Sequence, residues 1–166
     1  MISRRVMVAG GALGLAACAQ SMDEKFRSYD GPQVTRIQVF KEARKLQLIH
    51  GQELLKVYDF ELGFTPDGHK RQQGDGRTPE GVYFIDRKNP ASRFHLSIGI
   101  SYPNFRDRAR ARAAGVTPGG DIFIHGTPDY AKGKSDWTYG CIAVSNPEME
   151  EIYAMVQTRT PIFIYP

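Results

Sequence analysis

The sequence predicts a mainly β, single-domain protein, and three observations carry that reading. Apolar and polar residues alternate in short runs, as in Thr35-Arg36-Ile37-Gln38-Val39-Phe40, which is the period of a half-buried strand. Turn signals interrupt the chain repeatedly, among them Gly31-Pro32, Pro66-Asp67-Gly68 and the glycine-rich stretch from Gln72 to Gly81. Only two segments have the composition of a helix. The architecture implied is a sandwich or barrel with about two helices rather than a doubly wound sheet. The length, 166 residues, suits one domain.

The elements follow in order. Residues 19–33 are polar and read as a tether, so the folded domain spans 34–166. After the strand ending at Phe40, Lys45–His50 and Glu53–Leu62 read as two strands joined by a turn at His50-Gly51-Gln52. Val82–Asp86 and Phe94–Tyr102 follow as strands. Asn104–Ala114 is rich in Arg and Ala, both good helix formers, and ends at Gly115. Asp121–His125 is a short strand, and 126–140 a loop. Asn146 is expected to cap a second helix with Pro147 at its first position and Glu148, Glu150 and Glu151 in its first turns. Pro161–Tyr165 closes the domain as a strand.

Composition excludes several classes. Hydrophobic residues make up 41% and charged residues 24%, too apolar for a disordered chain. Two cysteines are too few for a disulfide-stapled miniprotein. No run of about 18 apolar residues exists to form an ordinary membrane-spanning helix.

The N-terminus has the layout of an export signal. Arg4 and Arg5 precede an apolar, small-residue stretch from Val6 to Ala17, as in secretory signals with about 7–15 apolar residues. It ends in Leu15-Ala16-Ala17-Cys18, which resembles the lipobox of bacterial lipoproteins and implies lipidation of Cys18. A plain cleaved signal with an incidental cysteine is the alternative. The paired arginines also loosely resemble a twin-arginine signal. Without residues 1–17, the excess of basic over acidic residues falls from four to two. That small excess, with no basic run interleaved with aromatics, argues against nucleic acid as a partner. Ala19 after Cys18 favours the outer membrane over the inner for a periplasmic, lipid-anchored protein.

If Cys18 carries lipid, Cys141 is the one remaining cysteine. A leftover thiol in an oxidising compartment is a candidate reactive group. It reads equally as a buried, inert cysteine or as the partner of Cys18 in a disulfide. Its neighbours bear on the choice. Ile122-Phe123-Ile124-His125-Gly126 sets a histidine at the end of an apolar strand, and Cys141 stands sixteen positions later in Trp137-Thr138-Tyr139-Gly140-Cys141-Ile142-Ala143. A thiol attacks as thiolate, and its free pKa is near ~8.5. An adjacent imidazole can take the proton. Gly140 lets the backbone turn sharply, and amides near Gly140 and Cys141 could hold an oxyanion. These are the parts of cysteine acyl transfer.

The residues that carry this chemistry resemble a known family. Gly74-Asp75-Gly76-Arg77-Thr78-Pro79-Glu80-Gly81, Ile98-Gly99-Ile100-Ser101-Tyr102-Pro103-Asn104, Asp121–Gly126 and Asp136–Ala143 together look like the L,D-transpeptidase catalytic domain of the YkuD type. The resemblance covers about residues 34–166. It implies a mainly β fold with Cys141 as nucleophile and His125 as base. It further implies Gly126 as the residue whose carbonyl orients that histidine, with Gly140 in the oxyanion loop. Tyr139, Thr138, Trp137, Tyr102 and Arg77 become candidate substrate contacts. The implied substrate is the peptidoglycan stem peptide, attacked at meso-diaminopimelate with loss of D-Ala. The acyl group then passes to an amine, giving a 3→3 crosslink or attaching a protein to the wall, or it passes to water. No cofactor or metal is implied.

The commoner family motif is Ser-His-Gly-Cys, where this chain has Thr138-Tyr139-Gly140-Cys141, and the gap from His125 is shorter than in those members. This looks more like a proteobacterial branch that includes both transpeptidases and hydrolases of wall-bound lipoprotein. The acceptor is therefore open, and a non-catalytic wall-binding lipoprotein is the reading from a different class. Among the remaining candidates, His95 is expected to be a strand histidine, and His50 and His69 solvated turn residues. Arg106, Arg108, Arg110 and Arg112 form either a solvated face or a carboxylate-attracting one.

Overall fold

The computed structural model describes residues 25–166. The candidate signal segment with Arg4 and Arg5, Cys18 and Ala19 lie outside the described residues. Eight strands form one sheet. They are β1 (Arg36–Phe40), β2 (Lys45–His50), β3 (Glu53–Asp59), β4 (Gly81–Asn89), β5 (Ser97–Ile100), β6 (Phe123–His125), β7 (Ile142–Ala143) and β8 (Pro161–Tyr165). Two helices accompany them, α1 (Phe105–Ala113) and α2 (Asn146–Met155). Among the described residues no helix is long and apolar enough to cross a membrane.

The strand order is β3-β2-β1-β8-β4-β5-β6-β7. The pairs β1–β8 and β6–β7 are parallel, and the other pairs are antiparallel. The two ends of this order meet. Just past β3, Glu61 exchanges both backbone hydrogen bonds with Ala143 of β7, at 2.8 and 2.9 Å, and Gly63 forms a bridge with Thr138. The sheet thus curls on itself, and the edge of β7 is paired by the segment that follows β3.

Alternation sets the core. Ile37 and Val39 of β1, Leu46 and Leu48 of β2, and Ile162 and Ile164 of β8 point inward with no more than 2% of their surface exposed. They join Ile85, Ile98, Ile124 and Ile142 in one apolar cluster. Helix α2 packs Met149, Ile152 and Met155 against that cluster, next to β5 and β6.

Several boundaries differ from expectation for identifiable reasons. β3 ends at Asp59 rather than Leu62, because its partner β2 begins at Lys45, opposite Asp59. The chain then turns to β7. β5 is four residues, not nine. The Tyr102 amide bonds the Ile100 carbonyl at 2.7 Å in a tight turn that closes one end, and His95, at φ +72°, breaks the other. β4 is longer than expected and runs through Asp86-Arg87-Lys88-Asn89. It pairs with β8 up to Phe84 and with β5 from Ile85. The cap of α2 is Ser145 rather than Asn146. Ser145 accepts from the Glu148 amide while the Glu148 carboxylate accepts from the Ser145 amide at 2.9 Å, a reciprocal capping box. Asn104 caps α1 in the same way with Asp107.

Candidate active site

β6 and β7 run parallel at the end of the sheet, with Ile124 opposite Ile142 and His125 opposite Ala143. Side chains alternate along a strand. Ile124 and Ile142 enter the core, so His125, Ala143 and the residue just before β7, Cys141, face the other way. The fold therefore sets His125 and Cys141 on the same face of neighbouring strands, the one turned away from Ile124 and Ile142, two positions apart in register.

His125 is held from several sides. Its Nδ1 lies 2.8 Å from the Gly126 carbonyl, so Nδ1–H donates there and Nε2 is left as the basic nitrogen. Phe94 stacks on the imidazole at 4.5 Å between ring centres, with planes 23° apart. Trp137 meets it edge-on at 5.6 Å. Gly126 is enclosed, and a Cβ there would stand 2.3 Å from Asn146 Oδ1 and 2.9 Å from the Phe94 carbonyl. Burial lowers the histidine pKa, and the bond to Gly126 opposes that shift.

Cys141 is half-buried, and its Sγ lies 3.5 Å from the Asp121 carbonyl. Burial raises its pKa, against a smaller opposing effect from the Phe123 amide. Both shifts favour the uncharged form, of the imidazole and of the thiol. No hydrogen bond joins them in this state, and such contacts commonly tighten only when substrate arrives.

The loop that presents Cys141 is built from threonines and glycines. Thr138 Oγ1 donates to the Cys141 carbonyl at 2.8 Å and accepts from the Gly140 amide at 3.2 Å. Thr78, fully buried, donates to the Gly140 carbonyl at 2.9 Å. Gly140 has φ +115°, and a Cβ there would lie 2.4 Å from the Arg77 carbonyl. Only glycine fits that position. Its amide donates to Thr138 Oγ1, which fixes the turn just before Cys141.

The remaining candidates separate. Tyr139 is 77% exposed and packs edge-on to Phe64 beside the nucleophile loop. Trp137 borders a cavity of about 460 Å³ that also touches Glu61, Thr127, Ala143 and Asn146. Its Nε1 and Asn146 Oδ1 are buried without a partner. Arg77 meets the loop through its carbonyl, while its guanidinium extends to Gly68. Tyr102 is packed into the core cluster. It is only 6% exposed, and its hydroxyl is spent on the Pro118 carbonyl at 3.0 Å. His69 is not a solvated turn residue. It is half-buried, its Nδ1 accepts from the Glu80 amide at 2.9 Å, and its Nε2 lies 3.3 Å from Asp107. His95 lies outside the strands and bonds Glu150 at 2.8 Å. The four α1 arginines are all exposed.

Phe94 and Asn146 were not legible as site residues. Their contacts to the histidine and to Gly126 bridge chain segments about 20–30 residues away, with no periodicity to announce them. Thr78 carried a weak signal, as a small hydroxyl residue next to Pro79 in the glycine-rich loop.

A curled β domain with a histidine and a cysteine on adjacent strand ends defines the class of protein. The family model of the L,D-transpeptidase catalytic domain, YkuD, matches residues 34–164. The chain belongs to that family. It is 29% identical over 169 aligned positions to the putative L,D-transpeptidase YafK of Escherichia coli K12, covering 94% of this chain and 63% of that protein. The chain thus spans less than two thirds of the relative it matches. Among solved structures, the helical cell shape determining protein Pgp2 of Campylobacter jejuni superposes with a TM-score of 0.63 at 24% identity, over 86% of this chain and 53% of that one. Bd1075 of Bdellovibrio bacteriovorus gives 0.59 at 27%, over 80% and 48%. An L,D-transpeptidase of Mycobacterium smegmatis gives 0.55 at 14%, over 80% and 59%.

Proposed function

We propose that this protein is a peptidoglycan L,D-transpeptidase that works through a Cys141 acyl-enzyme on meso-diaminopimelate stem peptides. The observation that carries the reading is the shared face of β6 and β7 opposite Ile124 and Ile142. It sets Cys141 beside a histidine whose Nδ1–H is tied to Gly126 O at 2.8 Å, which leaves Nε2 as base. His125 Nε2 takes the thiol proton as Sγ attacks the carbonyl carbon of the diaminopimelate. The Cys141 amide holds the oxyanion, since the Gly140 amide is occupied. The C–N bond to D-Ala then breaks, and His125 returns the proton to the leaving amine. In the second half, an acceptor amine attacks the thioester, His125 takes its proton, and the thiol is restored.

Water as acceptor is the second reading, favoured by the exposed Tyr139 where commoner family members carry a histidine. Products would then be a trimmed stem peptide or a wall-linked lipoprotein set free. Lipidation at Cys18 and a periplasmic site at the outer membrane complete the proposal, and cell shape enters by analogy with Pgp2.

The test is incubation of the purified protein with a disaccharide tetrapeptide, products read by mass spectrometry, with C141A as control. Loss of D-Ala with a crosslinked dimer is the expected result. Loss of D-Ala with tripeptide alone assigns hydrolysis. A substrate left intact overturns the tetrapeptide-donor reading and moves wall-linked lipoprotein to the front.

A further inference from the structure

Behind His125 stands a set of side chains that the chemistry above does not use. Phe94, which stacks on the imidazole, also accepts the Gly126 N–H through its carbonyl at 3.0 Å. The next residue, His95, has φ +72°, a conformation that side-chain-bearing residues hold only where the surroundings over-determine it. Two contacts do so. His95 Nε2 is 2.8 Å from Glu150 Oε1 on α2, and the Lys25 ammonium reaches the His95 carbonyl at 3.4 Å and the Pro90 carbonyl at 2.7 Å. The other Glu150 oxygen accepts from Arg27 at 2.9–3.0 Å, and Arg27 also reaches Glu151 at 3.2 Å. The segment Lys25–Arg27, just before the domain, thus straps α2 to the turn that carries Phe94.

We propose that Arg27, Glu150 and His95 form a positioning relay that fixes the 94–95 turn and, through it, the orientation of His125. Two of the restraints on the imidazole end on this turn. The stacking ring is Phe94 itself. The Gly126 carbonyl that fixes Nδ1 belongs to a residue whose amide is bonded to Phe94 and whose Cα is packed against His95, so closely that a Cβ would sit 3.1 Å from His95 Cβ. None of the three relay residues is placed against Cys141, so each acts through another group. A base held in one orientation exposes Nε2 steadily, and small misplacements at such a site lower rates steeply. The inference rests on the reading of His125 as the base.

The full chain is compared with H125A, E150A, E150Q, H95G and R27A. Two quantities are read, the rate of Cys141 alkylation by iodoacetamide at neutral pH and the ring ¹⁵N shifts of His125, which report its tautomer. H95G keeps the left-handed backbone without the side chain. E150Q keeps an oxygen that accepts from His95 Nε2–H, so it rescues the bond that E150A removes. H125A is expected to slow alkylation by about 100-fold, E150A and H95G by about tenfold, and R27A by less, with E150Q near wild type. In E150A and H95G the His125 shifts move toward a mixture of tautomers. Wild-type rates and shifts in both E150A and H95G, with H125A slow, overturn the relay and leave the base reading standing. The relay is equally overturned if E150Q is as slow as E150A. A wild-type rate in H125A overturns the base reading itself.

Discussion

The two ends of the strand order are built differently. Around β1, β2 and β8, strands of five or six residues pair with one another in continuous register, and their side chains alternate between the core and the outer face except at Leu48 and Ile49, which are both buried. Around β5, β6 and β7, strands shrink to four, three and two residues, nearly every one of them buried. There the ladder is replaced by single bonds: Thr78 to Gly140, Thr138 to Cys141, and His125 to Gly126. Regular pairing makes a stable wall but repeats the same geometry at every step. A nucleophile and a base need one geometry, and the proposed pair, Cys141 and His125, sits where the regular pattern stops and individual contacts decide. The long half supports, and the short half reacts.

Substitutions separate the two halves, with effects on chemistry the largest. C141A is expected to abolish acyl-enzyme formation, read by intact-protein mass spectrometry with a tetrapeptide donor. H125A should lower the rate by 10²–10⁴-fold with little loss of fold by circular dichroism. An acyl-enzyme still formed by C141A would break the comparison outright.

Next come the glycines that shape the reactive half. G140A forces a side chain into φ +115° with its Cβ 2.4 Å from the Arg77 carbonyl. It should cost about 1–3 kcal/mol in urea unfolding and remove most activity as the loop shifts. In the supporting half, L48A should cost about 2–5 kcal/mol in the same measurement and leave the alkylation rate of the folded fraction unchanged. If L48A slowed alkylation as much as G140A, the division of labour would be wrong.

A smaller effect is expected from pH. Burial lowers the pKa of His125, and burial lowers that of His69. A histidine with a lowered folded-state pKa binds its proton more readily when unfolded. Its contribution is therefore present above the unfolded value of ~6.5 and is lost as pH falls below it. The melting temperature should drop on acidification from pH 7 toward 5, and less so in H125Q. Equal drops in H125Q and wild type would assign the effect to His69 or to other groups.

The smallest effect belongs to the exposed Lys45–Asp59 pair on the β2–β3 hairpin. K45A should change stability by no more than about 0.5 kcal/mol and activity not at all.

Legibility followed the range of the interactions. β1, β2 and β8 announced themselves because alternation is a local pattern that each strand states by itself. The Arg- and Ala-rich run of α1 was equally local. The cap of α2 was misplaced by one residue, because Ser145 and Asn146 are both good caps and only the reciprocal bond with Glu148 decides between them. Cys141 and His125 stood out by chemistry and motif. The burial of Tyr102 and its bond to the Pro118 carbonyl were not legible, since a buried tyrosine with a satisfied hydroxyl and an exposed one look alike in sequence.

The amino-acid order alone determined the fold class, the strand-forming runs, the two helix starts to within a residue and the choice of Cys141 and His125 as the candidate pair. These rest on period, composition and the reactivity of one side chain. Tertiary structure decided which face of β6 and β7 the pair shares, that the Gly140 amide is already engaged, that Phe94 stacks on the imidazole, and that Arg27 and His95 meet on Glu150. Those contacts join residues that are distant along the chain. They exist only once the curled sheet has brought its ends together, and no local pattern encodes them.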